Sequence, residues 1–209
     1  ITTPAPICAG QSTTLTVNGA NTYSWSPATG LNTTIGPTVI ANPTSTTTYT
    51  VTGTDNNSCS STTQVTVTVN PIPIVAVTPN PTICIGQNTT ITASGASTYT
   101  WSPAISLSAT TGATVIANPG STTTYTVTGN SLGCTATAQV TVIIASQPNI
   151  TVVPATICTG QSATLTASGA NTYTWSPSAT LSSSTGTSVS ANPVSTTTYT
   201  VVGDLNGCT

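Results

Sequence analysis

Six cysteines are the residues of this 209-residue sequence that are best equipped for covalent chemistry. The cysteines recur in three pairs whose members are about 50 residues apart in the sequence: Cys8 and Cys59, Cys84 and Cys134, and Cys158 and Cys208. An even cysteine count without histidine or Cys-x-x-Cys ligand pairs indicates disulfides and disfavours zinc. Because disulfides persist in oxidising compartments, the cysteines predict that the protein resides in such a compartment, as extracellular proteins do.

The sequence contains almost no residues that could act as a general acid or base. The chain lacks Lys, Arg, His and Glu, and its two acids, Asp55 and Asp204, lie far apart in the sequence. General acid–base catalysis and nucleophile activation both need a group that exchanges a proton near neutral pH. We therefore predict that the protein is not an enzyme and holds no cofactor.

Calcium is the one metal worth weighing. "GTDNNSC" and "GDLNGC" each place an Asp beside Asn in a turn, but the corresponding stretch "GNSLGC" offers only Asn130. A single carboxylate supplies too few ligands for a cation that binds six to eight oxygens. Turn formation explains the Asp and Asn residues more simply. We predict no metal site. Without Lys or Arg to neutralise phosphates we also predict no nucleic acid partner, and without a run of about 20 apolar residues no membrane span.

The cysteines belong to a long internal repeat. "STTTYTV" occurs three times, each time shortly after Ala-Asn-Pro, and "ICAGQSTTLTVNGANTYSWSP" has close counterparts beginning at Ile83 and Ile157. A period of about 75 residues is that of small domains in tandem. We predict repeat 1 at residues 1–71, repeat 2 at 72–148 and repeat 3 at 149–209.

Alternation of apolar and polar residues indicates the elements of each repeat. "QVTVTVN" directs its valines to one face and its threonines to the other, which is typical of a half-buried strand, and no stretch has helical periodicity. Repeat 1 is predicted to contain strands at residues 1–7, 13–18, 22–26, 38–41, 46–53 and 62–69. Six or seven short strands favour an all-β, two-sheet sandwich.

The order of motifs carries a family resemblance. Cys-x-Gly-Gln, Tyr-x-Trp-Ser-Pro, Tyr-Thr-Val, Cys and a Val-Thr-Val strand follow one another in each repeat as far as the chain extends. This order resembles the immunoglobulin-like or PKD-like repeats of secreted bacterial surface proteins, including adhesins linked to gliding motility and type IX secretion. The resemblance implies three tandem immunoglobulin-like β-sandwich domains in an elongated array, serving an extracellular stalk, adhesin or filament.

Two disulfide connectivities remain open. Constant spacing favours pairing within each repeat, which would stabilise each unit by about 4 kcal/mol. The immunoglobulin topology, however, places the two cysteines of a repeat at opposite ends, whereas bridged Cα atoms lie within roughly 7 Å. The alternative is bridges between neighbouring repeats, Cys8 to Cys134 and Cys84 to Cys208.

The aromatic side chains are predicted to be core residues. Because the chain has no Phe and few large apolar residues, each sandwich needs its Trp and its strand Tyr to pack around. These residues are Trp25, Trp101, Trp175, Tyr49, Tyr125 and Tyr199. The alternative is a row of aromatic platforms for stacking against sugars, assisted by Tyr23, Tyr99 and Tyr173.

Three functions of different classes fit the sequence. We favour a structural filament or stalk, since a net charge of −2 leaves little repulsion between copies and Thr-rich edge strands lack charged gatekeepers. A glycan-binding adhesin is the alternative, and an ice- or mineral-binding Thr array is a third. Glycosylation acceptor sequons begin at Asn32, Asn56, Asn88 and Asn149.

Repeat 3 ends differently from the others. "SSTTQVTVTV" and "TATAQVTVII" follow the second cysteine of repeats 1 and 2, while repeat 3 stops at Cys208-Thr209. We therefore predict that the third sandwich lacks its last strand and exposes a hydrophobic groove. Residues 1–7 match the first strands of the other repeats. We accordingly expect the groove to be filled by continuation of a longer repeat chain, with self-association by strand exchange between copies as the alternative.

Overall fold

The computed structural model describes residues 1–209 and contains strands and turns without helices. Its nineteen strands are β1 (Ile7–Cys8), β2 (Thr13–Thr16), β3 (Thr22–Ser26), β4 (Thr38–Ala41), β5 (Thr47–Thr54), β6 (Ser60–Val67), β7 (Val69–Asn70), β8 (Ala76–Val77), β9 (Thr82–Cys84), β10 (Thr89–Ser94), β11 (Thr98–Ser102), β12 (Thr114–Ala117), β13 (Thr123–Ser131), β14 (Cys134–Ala145), β15 (Thr151–Val152), β16 (Ala163–Ser168), β17 (Thr172–Ser176), β18 (Ser188–Ala191) and β19 (Thr200–Asp204). The prediction of an all-β chain is confirmed.

Hydrophobic side chains gather into three separate cores, one in each predicted repeat. The cores contain 11, 10 and 6 buried residues in chain order. Each is built around the Trp of the third-strand motif Tyr-x-Trp-Ser. A separate core is what allows a unit this small to be a domain of its own.

Repeat 1 shows how the sequence pattern becomes a sandwich. Strand β2 pairs with β4 in one sheet, and β3, β5 and β6 form the other in that order. Along β5 and β6 the apolar side chains Tyr49, Val51, Val65 and Val67 face the core. The predicted alternation is confirmed in β6, because Val65 and Val67 are buried whereas Thr66 between them is exposed.

The first strand is shorter than predicted in repeat 1 and divided in repeat 2. Residues 1–6 form no strand, and only β1 pairs, in parallel with β7. In repeat 2, β8 joins the sheet of β10 while β9 runs parallel to β14 in the opposite sheet. Prolines explain the breaks, since Pro4 and Pro6 in repeat 1, and Pro79 and Pro81 in repeat 2, have no N–H to donate to a ladder.

Repeat 3 is the same sandwich without its outermost strand. β15, β16 and β18 form one sheet, but the other contains only β17 and β19. Strand β19 therefore pairs along one edge, whereas its counterparts β5 and β13 pair along both. The expectation that the third sandwich lacks its last strand is confirmed by this pairing.

Candidate functional site: the repeat junctions and the open edge of repeat 3

Two disulfides join neighbouring repeats. Cys8 of repeat 1 is bonded to Cys134 of repeat 2, and Cys84 of repeat 2 to Cys208 of repeat 3. In both bridges the Cα atoms are 5.6 Å apart. Both bridges follow the same rule. The first cysteine of one repeat bonds to the second cysteine of the next.

Pairing within each repeat, the connectivity favoured by the sequence, is therefore wrong. Cys8 is opposite Asn70 in the parallel pair β1–β7, at the far end of the strand segment that begins just after Cys59. At a rise of about 3.3 Å per residue this segment separates the two cysteines by roughly 35 Å. No disulfide spans that distance. Cys59 and Cys158, predicted to be bridged, are free and exposed.

The second cysteine of each repeat follows a hairpin turn that is held by an Asp or Asn. Asp55 Oδ1 accepts hydrogen bonds from the backbone N–H of Asn57 at 2.8 Å and of Cys59 at 2.9 Å. In repeats 2 and 3, the N–H of the turn glycine donates to Oδ1 of Asn130 at 3.2 Å and of Asp204 at 3.0 Å. Asn130 and Asp204 thus hold equivalent turns, which is the turn-forming role predicted for these residues.

No group of three or more His, Cys, Asp or Glu side chains lies close enough together to hold a metal ion. None of the elements is a helix of the length and apolarity needed to cross a membrane.

Few hydrogen bonds accompany the bridges. At the first junction the side-chain N–H of Asn70 donates to the carbonyl of Leu132 at 3.0 Å. At the second, Cys84 Sγ lies 3.5 Å from the carbonyl oxygen of Gly207. Leu132 is 75% exposed although it touches the neighbouring repeat. The disulfide is therefore the main constraint at each junction besides the peptide linker.

The tryptophans lie in the cores. Trp25, Trp101 and Trp175 are at most 4% exposed, and each donates a hydrogen bond from Nε1 to the carbonyl of a glycine eleven residues later. Their companions Tyr23, Tyr99 and Tyr173 are buried too. A row of sugar-stacking platforms built from these six side chains is excluded, because none presents a ring face to solvent.

The strand tyrosines differ between repeats. Tyr49 and Tyr125 are fully buried and donate their hydroxyls to the carbonyls of Thr29 at 2.8 Å and Ile105 at 3.2 Å. Burial raises the pKa of both phenols above the usual value of 10.0, and a side-chain hydrogen bond with Thr47 opposes this rise at Tyr49. Tyr199, also predicted to be a core residue, is only half-buried because the strand that covers its counterparts is missing.

The missing strand leaves an open groove in repeat 3, with a volume of about 720 Å³. Its wall includes Leu165, Trp175 and Tyr199 from the core, and Ile157 and Val194 from the two rims. Leu165 is 8% exposed, whereas its counterparts Leu15 and Ile91 are completely buried. In repeat 1 the valines of β6 complete this side of the core.

The asparagines of the four sequons are all exposed: Asn32, Asn56, Asn88 and Asn149. Asn32 is held in place, since its Oδ1 accepts a hydrogen bond from the N–H of Ile40 at 2.7 Å. Nothing in the structure bears on whether a glycan is attached, so glycosylation stays a prediction.

Comparisons with known proteins agree with this architecture. Residues 1–71 match the family described as "Ig-like domain CHU_C associated". Among solved structures, the I-band fragment I67–I69 of titin is similar at a TM-score of 0.51 and 12% identity, covering 97% of this chain and 90% of that one. A Glu-to-Ala variant of the same titin fragment has a TM-score of 0.50 at 12% identity, with 96% and 90% covered. No curated protein sequence matches.

These likenesses establish the fold. The chain is all-β and consists of tandem immunoglobulin-like β-sandwich repeats. At 12% identity the titin fragments say nothing about function. The sequence offered one signal for the correct disulfides, which was the placement of the two cysteines at opposite ends of a sandwich.

Proposed function

We propose that this protein is a structural segment of an extracellular bacterial filament or cell-surface stalk. The observation that carries the proposal is the pair of bridges from each repeat to the next, Cys8–Cys134 and Cys84–Cys208. Bonds at these positions do little for the core of any one repeat. They restrain how successive repeats are oriented, which is a requirement of a load-bearing rod and not of independent binding modules.

The surface supports the same role. Threonine and serine hydroxyls cover the strands, no side chain is cationic, and the net charge is −2. A nearly uncharged surface has little long-range repulsion, so copies can pack closely at high local density. The chain has no His, Lys, Arg or Glu to serve as a general acid or base, which fits a structural role better than catalysis.

The match of residues 1–71 to an immunoglobulin-like family and the disulfides support secretion to the cell surface. The likeness of the motifs to repeats of bacterial surface proteins supports a bacterial stalk or filament of the kind exported by type IX secretion.

Electron microscopy of the oxidised 209-residue chain and of native material tests the proposal. We expect rods, and polymers at high protein concentration, whose formation changes little with salt because almost no charge is present to screen. A glycan array run in parallel tests the adhesin alternative. Specific glycan binding by particles that remain dispersed would replace the structural role with a ligand-binding one.

A further inference from the structure

The two disulfides follow one rule, and the two free cysteines are the residues that the rule leaves over. Each bridge joins the first cysteine of a repeat to the second cysteine of the next repeat. Cys158 is the first cysteine of repeat 3, and Cys59 is the second cysteine of repeat 1. Both are free and exposed. Applied once more, the rule joins Cys158 to the second cysteine of a further repeat and Cys59 to the first cysteine of a preceding one.

Cys158 is held in the same turn as the two bonded first cysteines. In all three copies the N–H of the Gln three residues later donates to the cysteine carbonyl, at 2.9 Å for Cys8, 3.1 Å for Cys84 and 3.0 Å for Cys158. The intervening glycine has a positive φ each time, 84°, 82° and 82°, as position i+2 of a type II turn requires. The turn that presents a bonded thiol in repeats 1 and 2 is therefore already formed around the free thiol of repeat 3.

Cys59 holds the same place in its hairpin as the bonded second cysteines. In repeat 2, Gly129 is opposite Ala136, and Cys134 lies two residues before Ala136. In repeat 1, Gly53 is opposite Ser61, and Cys59 lies two residues before Ser61. The loop of repeat 1 is one residue longer, but the extra residue lies before Cys59 and does not change its register.

The two free thiols lie on complementary ends of their own sandwiches. At each existing junction a first cysteine on one end of a sandwich meets a second cysteine on the opposite end of the next. Cys158 is on the end of repeat 3 that would face a following repeat, and Cys59 is on the end of repeat 1 that would face a preceding one. A contact between repeat 3 of one copy and repeat 1 of another therefore brings one Cys158 and one Cys59 together.

We propose that copies of this chain associate head to tail and become linked by a disulfide from Cys158 of one copy to Cys59 of the next. The partner is a second copy because its repeat 1 presents a cysteine in the same hairpin register as the cysteine that repeat 2 presents to repeat 1. The inference rests on the proposed function as a structural segment and names the bond that extends it. Such a heterologous, head-to-tail contact generates an open filament wherever the rotation from copy to copy does not close a ring.

The chemistry balances with a low-molecular-weight disulfide as the oxidant. The thiolate of one cysteine attacks the small disulfide, forms a mixed disulfide and releases one small thiol. The thiolate of the other cysteine then attacks the protein sulfur of that mixed disulfide and releases the second small thiol. Two protein thiols are oxidised, one small disulfide is reduced to two thiols, and one S–S bond joins the copies.

Single variants of the free cysteines test the direction of linkage. The 209-residue chain is incubated at high concentration with oxidised and reduced glutathione, then alkylated and analysed by non-reducing electrophoresis and by peptide mapping with pepsin, since the chain has no trypsin site. We expect a ladder of dimers, trimers and longer species, containing the Cys59–Cys158 peptide. Cys59→Ser and Cys158→Ser should each remain monomeric when incubated alone.

A mixture of the two single variants is the decisive sample. Each variant then supplies one usable thiol, so we expect a heterodimer and no longer species. Dimerisation of Cys59→Ser alone would show Cys158–Cys158 pairing and overturn the head-to-tail arrangement. Absence of any linked species from the parent chain would overturn the inference altogether. Electron microscopy of the same samples separates the two proposals, because rods without the Cys59–Cys158 peptide leave the structural role intact.

Discussion

Trp101 donates a hydrogen bond of 2.9 Å from its indole Nε1 to the backbone carbonyl of Gly112. The side chain is 3% exposed and lies in a core of only 10 buried residues. The indole N–H, the polar part of an otherwise apolar ring, is thus satisfied inside the sandwich. Trp101 consequently contributes a large share of the apolar surface that repeat 2 buries.

Replacing Trp101 with Ala should destabilise repeat 2 by about 3 to 5 kcal/mol, because a large cavity replaces the ring. Denaturant unfolding followed by hydrogen exchange of repeat 2 measures the change. Ile105→Ala is the matched control, since Ile105 belongs to the same repeat and is 69% exposed, and it should change stability by no more than about 0.5 kcal/mol. Equal effects of the two substitutions would place the Trp outside the core.

Alkaline pH should destabilise the first two repeats through their buried tyrosines. The pKa of Tyr49 and of Tyr125 is raised above 10.0 mainly because burial disfavours the phenolate. Their contribution to stability is complete below the unfolded pKa near 10 and is lost as the pH rises through the higher folded values. The melting temperature should be nearly constant from about pH 8 to 9.5 and should fall above about pH 10.

The double variant Tyr49→Phe/Tyr125→Phe is the control for this prediction. It loses two hydroxyl hydrogen bonds and should be less stable than the parent near pH 8, by about 1 kcal/mol for each bond. Above pH 10 its melting temperature should fall less steeply than that of the parent. Identical slopes would show that other groups govern alkaline unfolding.

A peptide with the sequence of residues 60–70 should bind to repeat 3. The open edge of β19 lacks the antiparallel partner that β6 provides to β5, and the adjacent groove lacks the two valines of that strand. Main-chain pairing and burial of alternate side chains drive such strand addition. Hydrogen exchange should slow in residues 197–204 and remain unchanged in β5 and β13, which are already paired on both edges.

The matched control peptide carries the changes corresponding to Val65→Thr and Val67→Thr. It retains the β-branched shape and the backbone donors but places hydroxyls where the groove is apolar. Affinity should fall by roughly 2 kcal/mol or more, which is at least about thirtyfold. Equal binding of both peptides would mean that the groove does not recognise the apolar face.

Removing the bridges should loosen the junctions without unfolding the repeats. In the double variant Cys8→Ser/Cys84→Ser each repeat keeps its own core, while the first junction retains the hydrogen bond from Asn70 to Leu132. Small-angle X-ray scattering should show a broader distribution of repeat orientations, with an unchanged far-ultraviolet circular dichroism spectrum. Cys59→Ser/Cys158→Ser removes only free thiols and should scatter like the monomeric parent. Unchanged scattering from the first variant would show that the linkers alone fix the geometry.

The sequence predicted the sandwich of each repeat better than the disulfides that join the repeats. Alternation identified β5 and β6 and the burial of Val65 and Val67, because period-2 patterning reports directly which face is covered. Disulfide connectivity was beyond this pattern, since the repeated cysteines are evenly spaced whether they pair within or between repeats. Only the direction of the strand from Cys59 to Asn70 distinguishes the two, by placing Cys8 at the far end.

Within repeat 3, too, the sequence predicted one feature and not another. The groove of repeat 3 follows from a missing Val-Thr-Val pattern, so the sequence predicted it. The half-buried state of Tyr199 was not predicted, because its own strand sequence is identical to those around Tyr49 and Tyr125. What differs is the missing neighbouring strand in the same sheet, which a local pattern does not describe.

The overlap of the two disulfide loops changes how the chain carries tension. Cys8 and Cys134 form one covalent node, and Cys84 and Cys208 form a second. Three stretches of polypeptide, residues 9–83, 85–133 and 135–207, all connect the same two nodes. A pull on the two chain ends therefore acts on the three repeats in parallel, so none can lengthen far unless the others yield as well. The oxidised chain extends to only about 200 Å, against about 700 Å after reduction, when the repeats bear the force one after another.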